Sequence, residues 1–186
     1  MGLMVSDTGS GDFERLEAGL YHAVCSHVED LGLQETPYGD KLKLAICFET
    51  EEKMKDGRPF MFSRIYTQSL NSKATLRQHL ESWRGKQFSP VELEGFDVEN
   101  LLGKHVTLNL VEQTRNDKTY TGIDGLMKPM QGKPPIAPQG QPLPEWIAKI
   151  AKAGRDRKAL GFSDGAPMPD ESQAPVIDEN LDGLPF

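Results

Sequence analysis

The chain has few of the residues that mark a covalent framework or a membrane span. Its two cysteines, Cys25 and Cys47, are too few for a disulfide framework. No stretch approaches the roughly 20 consecutive apolar residues that a membrane-spanning helix needs. The sequence does not open with a basic segment followed by an apolar run. We therefore expect a cytoplasmic protein with reduced thiols and no membrane partner.

The sequence also lacks the motifs of common catalytic sites. It contains no Cys-x-x-Cys pair, no phosphate-binding loop and no Gly-x-Ser-x-Gly elbow. Its four histidines are scattered, at His22, His27, His79 and His105. Three carboxylates near one predicted strand end, Glu49, Glu51 and Glu52, offer Mg²⁺ ligands, although a solvated loop is the simpler interpretation. We predict no enzyme activity, no cofactor and no resident metal.

Basic residues are missing from the C-terminal end. The formal net charge is -7, and residues 162–186 carry six acidic and no basic groups. Residues 134–161 carry five basic and two acidic groups, while residues 19–133 are almost balanced, with 15 basic and 16 acidic groups. A nearly neutral domain can hold a basic groove if its carboxylates lie elsewhere. The acidic composition therefore does not exclude nucleic-acid binding by the middle of the chain.

Composition divides the chain into four segments. We predict a disordered N-terminus over residues 1–12, an OB-fold domain over 13–130, a Pro/Gly linker with a short basic helix over 131–161, and a disordered acidic tail over 162–186. The basic helix, residues 144–158, carries an apolar patch beside its cations. We expect it to pack on the domain or to join subunits of a homo-oligomer; extending the DNA path is the third possibility.

The central segment reads as five strands and one helix. Alternating patterns predict strands at Gly19–Asp30, Lys41–Thr50, Phe60–Thr67, Lys104–Glu112 and Lys118–Leu126. Between the third and fourth strands, Leu76, Leu80 and Trp83 have the spacing of one apolar helix stripe. The order β-β-β-α-β-β is that of the OB fold, a five-stranded Greek-key barrel that binds oligonucleotides. We predict this mainly β fold, with the helix between strands 3 and 4.

The third predicted strand carries aromatic rings and a cation on one face. Binding a single strand without sequence preference needs stacking rings and a basic groove. A guanidinium between two rings is costly inside a barrel, which favours a surface position for this face, although core packing is the alternative for each ring. The predicted DNA-binding residues are Phe60, Phe62, Arg64, Tyr66, Lys41, Lys43, Arg58, Arg115, Lys118 and Tyr120.

The last nine residues combine acidic groups with a terminal aromatic ring. An exposed Phe contributes nothing to the folding of a disordered tail, so we expect it to enter a pocket on a partner protein. The acidic groups accelerate encounter with a basic partner surface. A purely solubilising tail is the alternative. The predicted partner-binding residues are Asp178, Glu179, Asp182, Leu184, Pro185 and Phe186.

This ending resembles the tail tip of bacterial single-stranded DNA-binding proteins, in which several aspartates precede Ile-Pro-Phe. The resemblance implies docking on replication and recombination partners, such as a polymerase, helicase, primase, nuclease or recombinase. Pro185 and Phe186 match that tip outright. Leu184 replaces the usual Ile and Gly183 interrupts the acidic run, which implies a retuned partner affinity.

The body of the chain is similar to phage-encoded single-stranded DNA-binding proteins. The similarity rests on Tyr38-Gly39-Asp40, Phe48-Glu49-Thr50, Asp56-Gly57-Arg58-Pro59 and Leu80-Glu81-Ser82-Trp83-Arg84-Gly85. It implies a protein that coats single-stranded DNA during phage replication, recombination or repair in the host cytoplasm. Two alternatives stay open. One is a recombination mediator or OB-fold protein adaptor, and the other is a small Mg²⁺-dependent nuclease.

Overall fold

The computed structural model describes residues 14–162, and within them the chain is mainly β, as predicted. The strands are β1 (Gly19–Thr36), β2 (Gly39–Lys53), β3 (Pro59–Thr67), β4 (His105–Arg115) and β5 (Lys118–Met127). The helices are α1 (Thr75–Arg84), α2 (Pro90–Glu94) and α3 (Glu145–Ala159), with a 3₁₀ turn at Val98–Leu101. None of the helices in this part of the chain has the length and apolarity to cross a membrane. The predicted disordered segments, residues 1–12 and nearly all of 162–186, lie outside the described residues.

The strands form one antiparallel sheet in the order β3-β2-β1-β4-β5. The central strand β1 pairs with β4 near its start and with β2 along the rest of its length. Irregularities at Cys25/His27 and Asp30/Gly32 interrupt its register with β2, and such bulges bend and twist a strand. Within residues 14–162 no backbone ladder joins β3 to β5. The expected barrel is therefore not closed by strand pairing, and β3 and β5 are the two edges of the sheet.

One face of the sheet holds the main hydrophobic core. Leu44, Ile46 and Phe48 on β2 contribute to it. The predicted helix stripe lies here too, because α1 buries Leu76, Leu80 and Trp83 against this face. The Phe48 and Trp83 rings meet edge to face, with centroids 5.7 Å apart. The indole N–H of Trp83 donates to the carbonyl of His105 at 2.6 Å, so the helix is fixed to the start of β4.

Helix α3 packs on the opposite face of the sheet. Its Ile147 and Ala151 are fully buried against a second apolar cluster made by Leu31, Ala45, Cys47 and Ile65. Gly154 permits the close approach, because a Cβ there would lie 1.8 Å from the carbonyl oxygen of Leu31. The helix also continues to Ala159. The structure therefore shows the basic helix packed on the domain, which is one of the two uses favoured for it from the sequence.

Residues 133–141, here called the crossing segment, run over the sheet near the end of β2 and the start of β3. They do not form the linker that the sequence predicts. Prolines remove backbone donors, but this segment still finds partners through its remaining polar groups. The four contacts join Lys133 Nζ to Glu51 Oε2 (2.7 Å), His22 Nε2 to the Pro134 carbonyl (3.2 Å), Gln139 N to Glu49 Oε2 (2.6 Å) and Gln141 Nε2 to the Pro59 carbonyl (2.9 Å).

Candidate nucleic-acid interface

The predicted aromatic face of β3 points into the protein. Register pairs Leu44 with Tyr66, Ile46 with Arg64 and Phe48 with Phe62. Paired residues of antiparallel strands project to the same side of a sheet. Because the three β2 residues lie in the main core, their β3 partners face it as well. The surface position predicted for this face is therefore wrong.

Tyr66 is sealed inside the core. Its exposed fraction is 0%, and its phenol oxygen lies 2.9 Å from Nδ1 of His79, within hydrogen-bonding distance. The two rings meet edge to face at 5.6 Å. Phe62 is half-buried and packs against the same cluster. Phe60, at the start of the strand, is also half-buried. Tyr66 thus has no accessible face on which a base can stack.

Arg64 is tolerated on this inner face because the sheet is open beside it. Its guanidinium donates to the backbone carbonyl of Ile123 on β5, and it lies 5.8 Å from the centroid of the Tyr66 ring. In a fully paired barrel that carbonyl would be taken by a ladder hydrogen bond. On the sequence alone, a buried guanidinium is costly because no acceptor is expected inside the fold. The unpaired edge of β5 supplies that acceptor.

The β2 lysines do not line an open groove. Lys43 is only 6% exposed, and its ammonium donates to the Thr67 hydroxyl at 2.7 Å. Lys41 is half-buried. Both lysines lie on the same face of β2 as Ala45 and Cys47, and α3 covers those two residues. The face of strands 2 and 3 that binds ligands in many OB folds is thus occupied by the protein's own helix.

The remaining predicted residues come together at one end of the sheet. The β2–β3 loop and the β4–β5 turn both extend past the start of β1, because β2 and β4 run antiparallel to it. Residues 14–16 connect them. The Lys55 amide donates to Glu14 at 2.8 Å, Arg15 donates to the Thr119 carbonyl at 3.0 Å, and the Thr121 hydroxyl donates to the Leu16 carbonyl at 2.6 Å. We call this region the hairpin-end surface; no sequence pattern marked residues 14–16 as part of it.

The β4–β5 turn presents a ring and two cations to solvent. Tyr120 is 39% exposed, and Arg115 and Lys118 are exposed on either side of the turn. Asn116 and Asp117 both have positive φ, 49° and 60°, as a two-residue type I′ hairpin requires. This turn chemistry fixes the hairpin, so Tyr120 is held on a defined scaffold.

Several cations of the hairpin-end surface are already paired. Arg58 binds Asp56 at 2.6 Å, Arg15 binds Glu112 at 3.3 Å, and Lys55 lies 3.8 Å from Glu14. The hydrogen bonds from Arg58 hold the pKa of Asp56 below its usual value. No carboxylate among residues 14–162 pairs with Lys53 or Lys118. Lys118 and Lys53 are therefore the cations that this surface offers most directly to a phosphate.

The two arginines of α3 are engaged within the protein. Arg157 makes a bidentate contact with Asp40, with a closest distance of 2.8 Å, and lies 4.4 Å from the Phe162 ring centroid. Arg155 pairs with Glu29 at 3.3 Å. These contacts fix the helix to the β1–β2 hairpin. They favour a packing role for the helix over a path for DNA.

Two of the three carboxylates considered as Mg²⁺ ligands are held by the crossing segment. Glu49 is 1% exposed and accepts the Gln139 amide, while Glu51 pairs with Lys133, which holds the pKa of Glu51 below its usual value. Within residues 14–162 no three His, Cys, Asp or Glu side chains are placed to hold a metal ion together. The contacts of Glu49 and Glu51 give the nuclease alternative no support.

The predicted partner-binding residues, Asp178 to Phe186, lie outside the described part of the chain, so their role stays a prediction. No protein-family model matches the sequence, and neither does any curated protein.

Proposed function

We propose that the protein binds single-stranded DNA without catalysing a reaction, through its hairpin-end surface, and recruits replication, recombination or repair proteins through its C-terminal residues. The observation that carries the proposal is the exposed ring of Tyr120, beside Arg115 and Lys118 on a hairpin of fixed geometry. We place this activity in the cytoplasm, of a host cell if the chain is phage-encoded.

The OB fold is part of the proposal. Its support is the order of the elements, with a bulged first strand paired to both β2 and β4 and with α1 between β3 and β4. OB folds are partly open Greek-key barrels that bind ligands on the strand 2–3 face and on the loops beside it. Here α3 covers much of that face, so the loops carry the DNA contact.

The hairpin-end surface has the chemistry for an unpaired strand. A base presents a π-face to an aromatic ring whatever its sequence, and exposed lysines and arginines attract phosphates along the backbone. The tyrosine supplies the stacking ring, and Lys118 and Lys53 supply positive charge. Two phosphate contacts predict a salt slope of roughly -1.4 for a single strand. Binding by one copy is therefore modest and falls as salt rises.

Substitutions at the hairpin test the proposal directly. We expect Tyr120→Leu to weaken binding of a fluorescent dT oligonucleotide by about 5-fold or more, because stacking contributes about 1–3 kcal/mol per base. Tyr120→Phe keeps the ring and is the matched control, so its affinity stays near that of the unsubstituted protein. If leucine and phenylalanine leave the affinity equally unchanged, the tyrosine does not stack on DNA.

The cation has its own matched control. Lys118→Ala removes a charge from the hairpin, whereas Lys158→Ala removes an exposed lysine from the end of α3. We expect only the Lys118 substitution to lower dT affinity and to reduce the steepness of the salt dependence by about one phosphate contact. Equal losses from both substitutions would indicate a nonspecific charge effect.

The recruiting role is tested by removing residues 178–186. We expect partner capture by the full chain to disappear, while dT affinity stays equal or rises because the acidic groups no longer compete for the basic surface. Loss of DNA affinity on this removal contradicts the role assigned to the tail.

A further inference from the structure

A row of residues on the outer face of the sheet continues from the ring of Tyr120. Leu108 and Leu110 on β4 point into the main core, so the residues that alternate with them project to the opposite face, together with their cross-strand partners. The pairs on this outer face, read inwards from the turn, are Arg115 with Lys118, Gln113 with Tyr120, Val111 with Gly122, and Asn109 with Gly125. Leu20 on β1 pairs with the other side of Asn109 and ends the row.

Solvent reaches this row along its length. Its two ends are exposed, with Leu20 at 53% and Tyr120 at 39%. The residues between them, Asn109, Val111, Gly122 and Gly125, are half-buried. Helix α3 lies on the same side of the sheet but packs on β1, β2 and β3, and the crossing segment meets β1 farther along, at His22. The row therefore lies beside these two elements rather than beneath them.

Two glycines make the middle of the row level. Neither Gly122 nor Gly125 has a positive φ, so the backbone does not require glycine at either position. A Cβ on Gly125 would lie 3.9 Å from the Asn109 Cβ, an ordinary contact, so packing does not require glycine there either. Glycine weakens the interior of a strand, and it often marks a site where a ligand approaches closely. We call the surface formed by Leu20, Asn109, Val111, Gly122 and Gly125 the glycine shelf.

The glycine shelf suits a short row of bases. A base is flat and apolar on its faces, so it lies closely on a level surface and packs against the side chains of Leu20 and Val111. The shelf is continuous with the hairpin-end surface, because Tyr120 stands at its border. Lys118 supplies positive charge at that border, and no carboxylate among residues 14–162 pairs with it.

One acidic group sets the orientation of the strand. The Asp124 carboxylate accepts a hydrogen bond from the Asn109 side chain at 3.2 Å, so it borders the shelf. A carboxylate repels phosphates, because the two carry charge of the same sign. Bases rather than phosphates therefore lie over this part of the shelf, with the sugar-phosphate backbone turned towards solvent.

The length of the shelf matches a short oligonucleotide. Between the Tyr120 and Leu20 positions the register counts four residues along β4, from Gln113 to Asn109, and two strand spacings. At about 3.3 Å per residue and about 4.8 Å per spacing, the two ends lie about 16 Å apart. OB folds bind about 4–16 nucleotides each, and the short end of that range spans this distance.

We propose that the glycine shelf carries the bases of the bound single strand beyond Tyr120, so that the DNA crosses the outer face of β5, β4 and β1. This inference rests on the proposed single-stranded DNA binding and adds the path of the strand to it. The path leaves α3 in place, because the helix covers a different part of the same side of the sheet.

Gly125→Ile places a branched side chain on the shelf. We expect affinity for a dT oligonucleotide that spans the shelf to fall about 5-fold or more, since a base can no longer lie on the sheet there. Isoleucine favours strands, so the urea midpoint should not fall. Gly95→Ile is the matched control. That glycine is exposed in extended backbone after α2, and a Cβ there meets nothing within 4 Å, so we expect unchanged affinity.

A titration of the unsubstituted full chain needs no substitution. Glycine amides occupy a separate region of the ¹H–¹⁵N correlation spectrum and are followed one by one as dT oligonucleotide is added. We expect the Gly122 and Gly125 resonances to shift, and those of Gly95 and Gly161 to stay in place. Shifts confined to the hairpin-end surface overturn the shelf.

Leu20→Ala tests the far end of the path. The exposed leucine contributes little to the core, so the protein keeps its stability, and we expect dT affinity to fall about 2-fold or more with the apolar contact. Leu160→Ala removes another exposed leucine, 78% accessible at the end of α3, and should leave affinity unchanged. Equal effects of the two substitutions contradict the path.

The outcomes separate this inference from the proposed function. Failure of the unsubstituted protein to bind oligo-dT overturns both. Binding that depends on Tyr120 but is unchanged by Gly125→Ile and Leu20→Ala overturns the shelf and leaves the hairpin-end surface in place. A Gly125→Ile protein of lower molecular mass in solution than the unsubstituted protein also overturns it, because the shelf then joins copies of the chain. Loss of dT affinity with both substitutions, at unchanged mass and stability, supports it.

Discussion

The guanidinium of Arg64 on β3 donates a hydrogen bond to the backbone carbonyl of Ile123 on β5. These strands are the two edges of the sheet, so a side chain connects them where no backbone ladder does within residues 14–162. The contact explains how a cation lies among aromatic rings on the inner face. Arg64, which the sequence predicts to bind DNA, therefore helps to hold the two edges of the sheet together.

Arg64→Met should therefore lower stability rather than DNA affinity. We expect the free energy of unfolding to fall by about 1.5–3 kcal/mol, the contribution typical of a hydrogen bond from a charged group. Urea denaturation measures the loss, and dT affinity stays within about 2-fold because Arg64 does not reach the hairpin-end surface. Arg58→Met is the control; it breaks only an exposed, solvent-screened ion pair, so we expect the free energy of unfolding to stay almost unchanged. A stable Arg64→Met protein that no longer binds dT contradicts this assignment.

His79 makes stability depend on pH. Burial, with a smaller contribution from the positive charge of Arg64, lowers the pKa of His79 to about 4. In the unfolded chain its pKa is about 6.5, so between these values the unfolded state binds a proton that the folded state does not. Stability from this residue is complete above about pH 6.5 and declines as pH falls towards 4. We expect up to about 2 kcal/mol to be lost by pH 5.

The His79 contribution is isolated by comparing the unsubstituted protein with His79→Gln in urea at pH 7.5 and pH 5. Because glutamine does not titrate, the unfolding free energy of His79→Gln should change less between pH 7.5 and pH 5 than that of the unsubstituted protein. An identical pH dependence of both proteins shows that His79 is not the group responsible.

The cysteines should be inert in the folded protein. Cys25 lies in the main core and Cys47 in the cluster under α3, on opposite faces of the sheet, which prevents a disulfide between them. Burial raises the pKa of Cys25 to about 12 and that of Cys47 to about 11, so neither forms a thiolate at neutral pH. We expect labelling by a disulfide reagent only after denaturation. Rapid labelling of native protein contradicts the burial.

Gly154→Ala should destabilise the protein, against the usual trend for helices. Replacing a helical glycine by alanine normally gains about 0.5–1 kcal/mol. Here the new methyl group would lie 1.8 Å from the Leu31 carbonyl oxygen, so α3 must move off the sheet. We expect a loss of about 1–3 kcal/mol. Ala153→Gly, on the exposed side of the helix, measures the propensity term alone. A gain in stability for Gly154→Ala means that α3 does not dock closely.

The strand positions and α1 were predictable from local patterns, because alternation and the spacing of Leu76, Leu80 and Trp83 report on one element at a time. Local patterns did not predict which face of β3 is buried. Which side of a strand is buried depends on its register with a neighbour, and the charge of Arg64 indicated the wrong side. Only the pairing of Phe62 with Phe48 resolves it.

The site was predictable in part for the same reason. Arg115, Lys118 and Tyr120 lie on a turn that the sequence marks by itself, and they are exposed. The crossing segment resembled a linker because its composition is rich in proline and glycine, yet its anchors are distant polar groups such as Glu49. Contacts over 90 residues of sequence leave no local pattern to read.

Equilibrium binding of the full chain to a dT oligonucleotide, with a duplex of the same length as comparison and salt raised in steps, tests the central proposal most directly. We predict measurable binding of the single strand in dilute buffer, weaker binding of the duplex, and a decline with salt of slope roughly -1.4. No binding of oligo-dT in dilute buffer, or equal affinity for duplex and single strand, contradicts it.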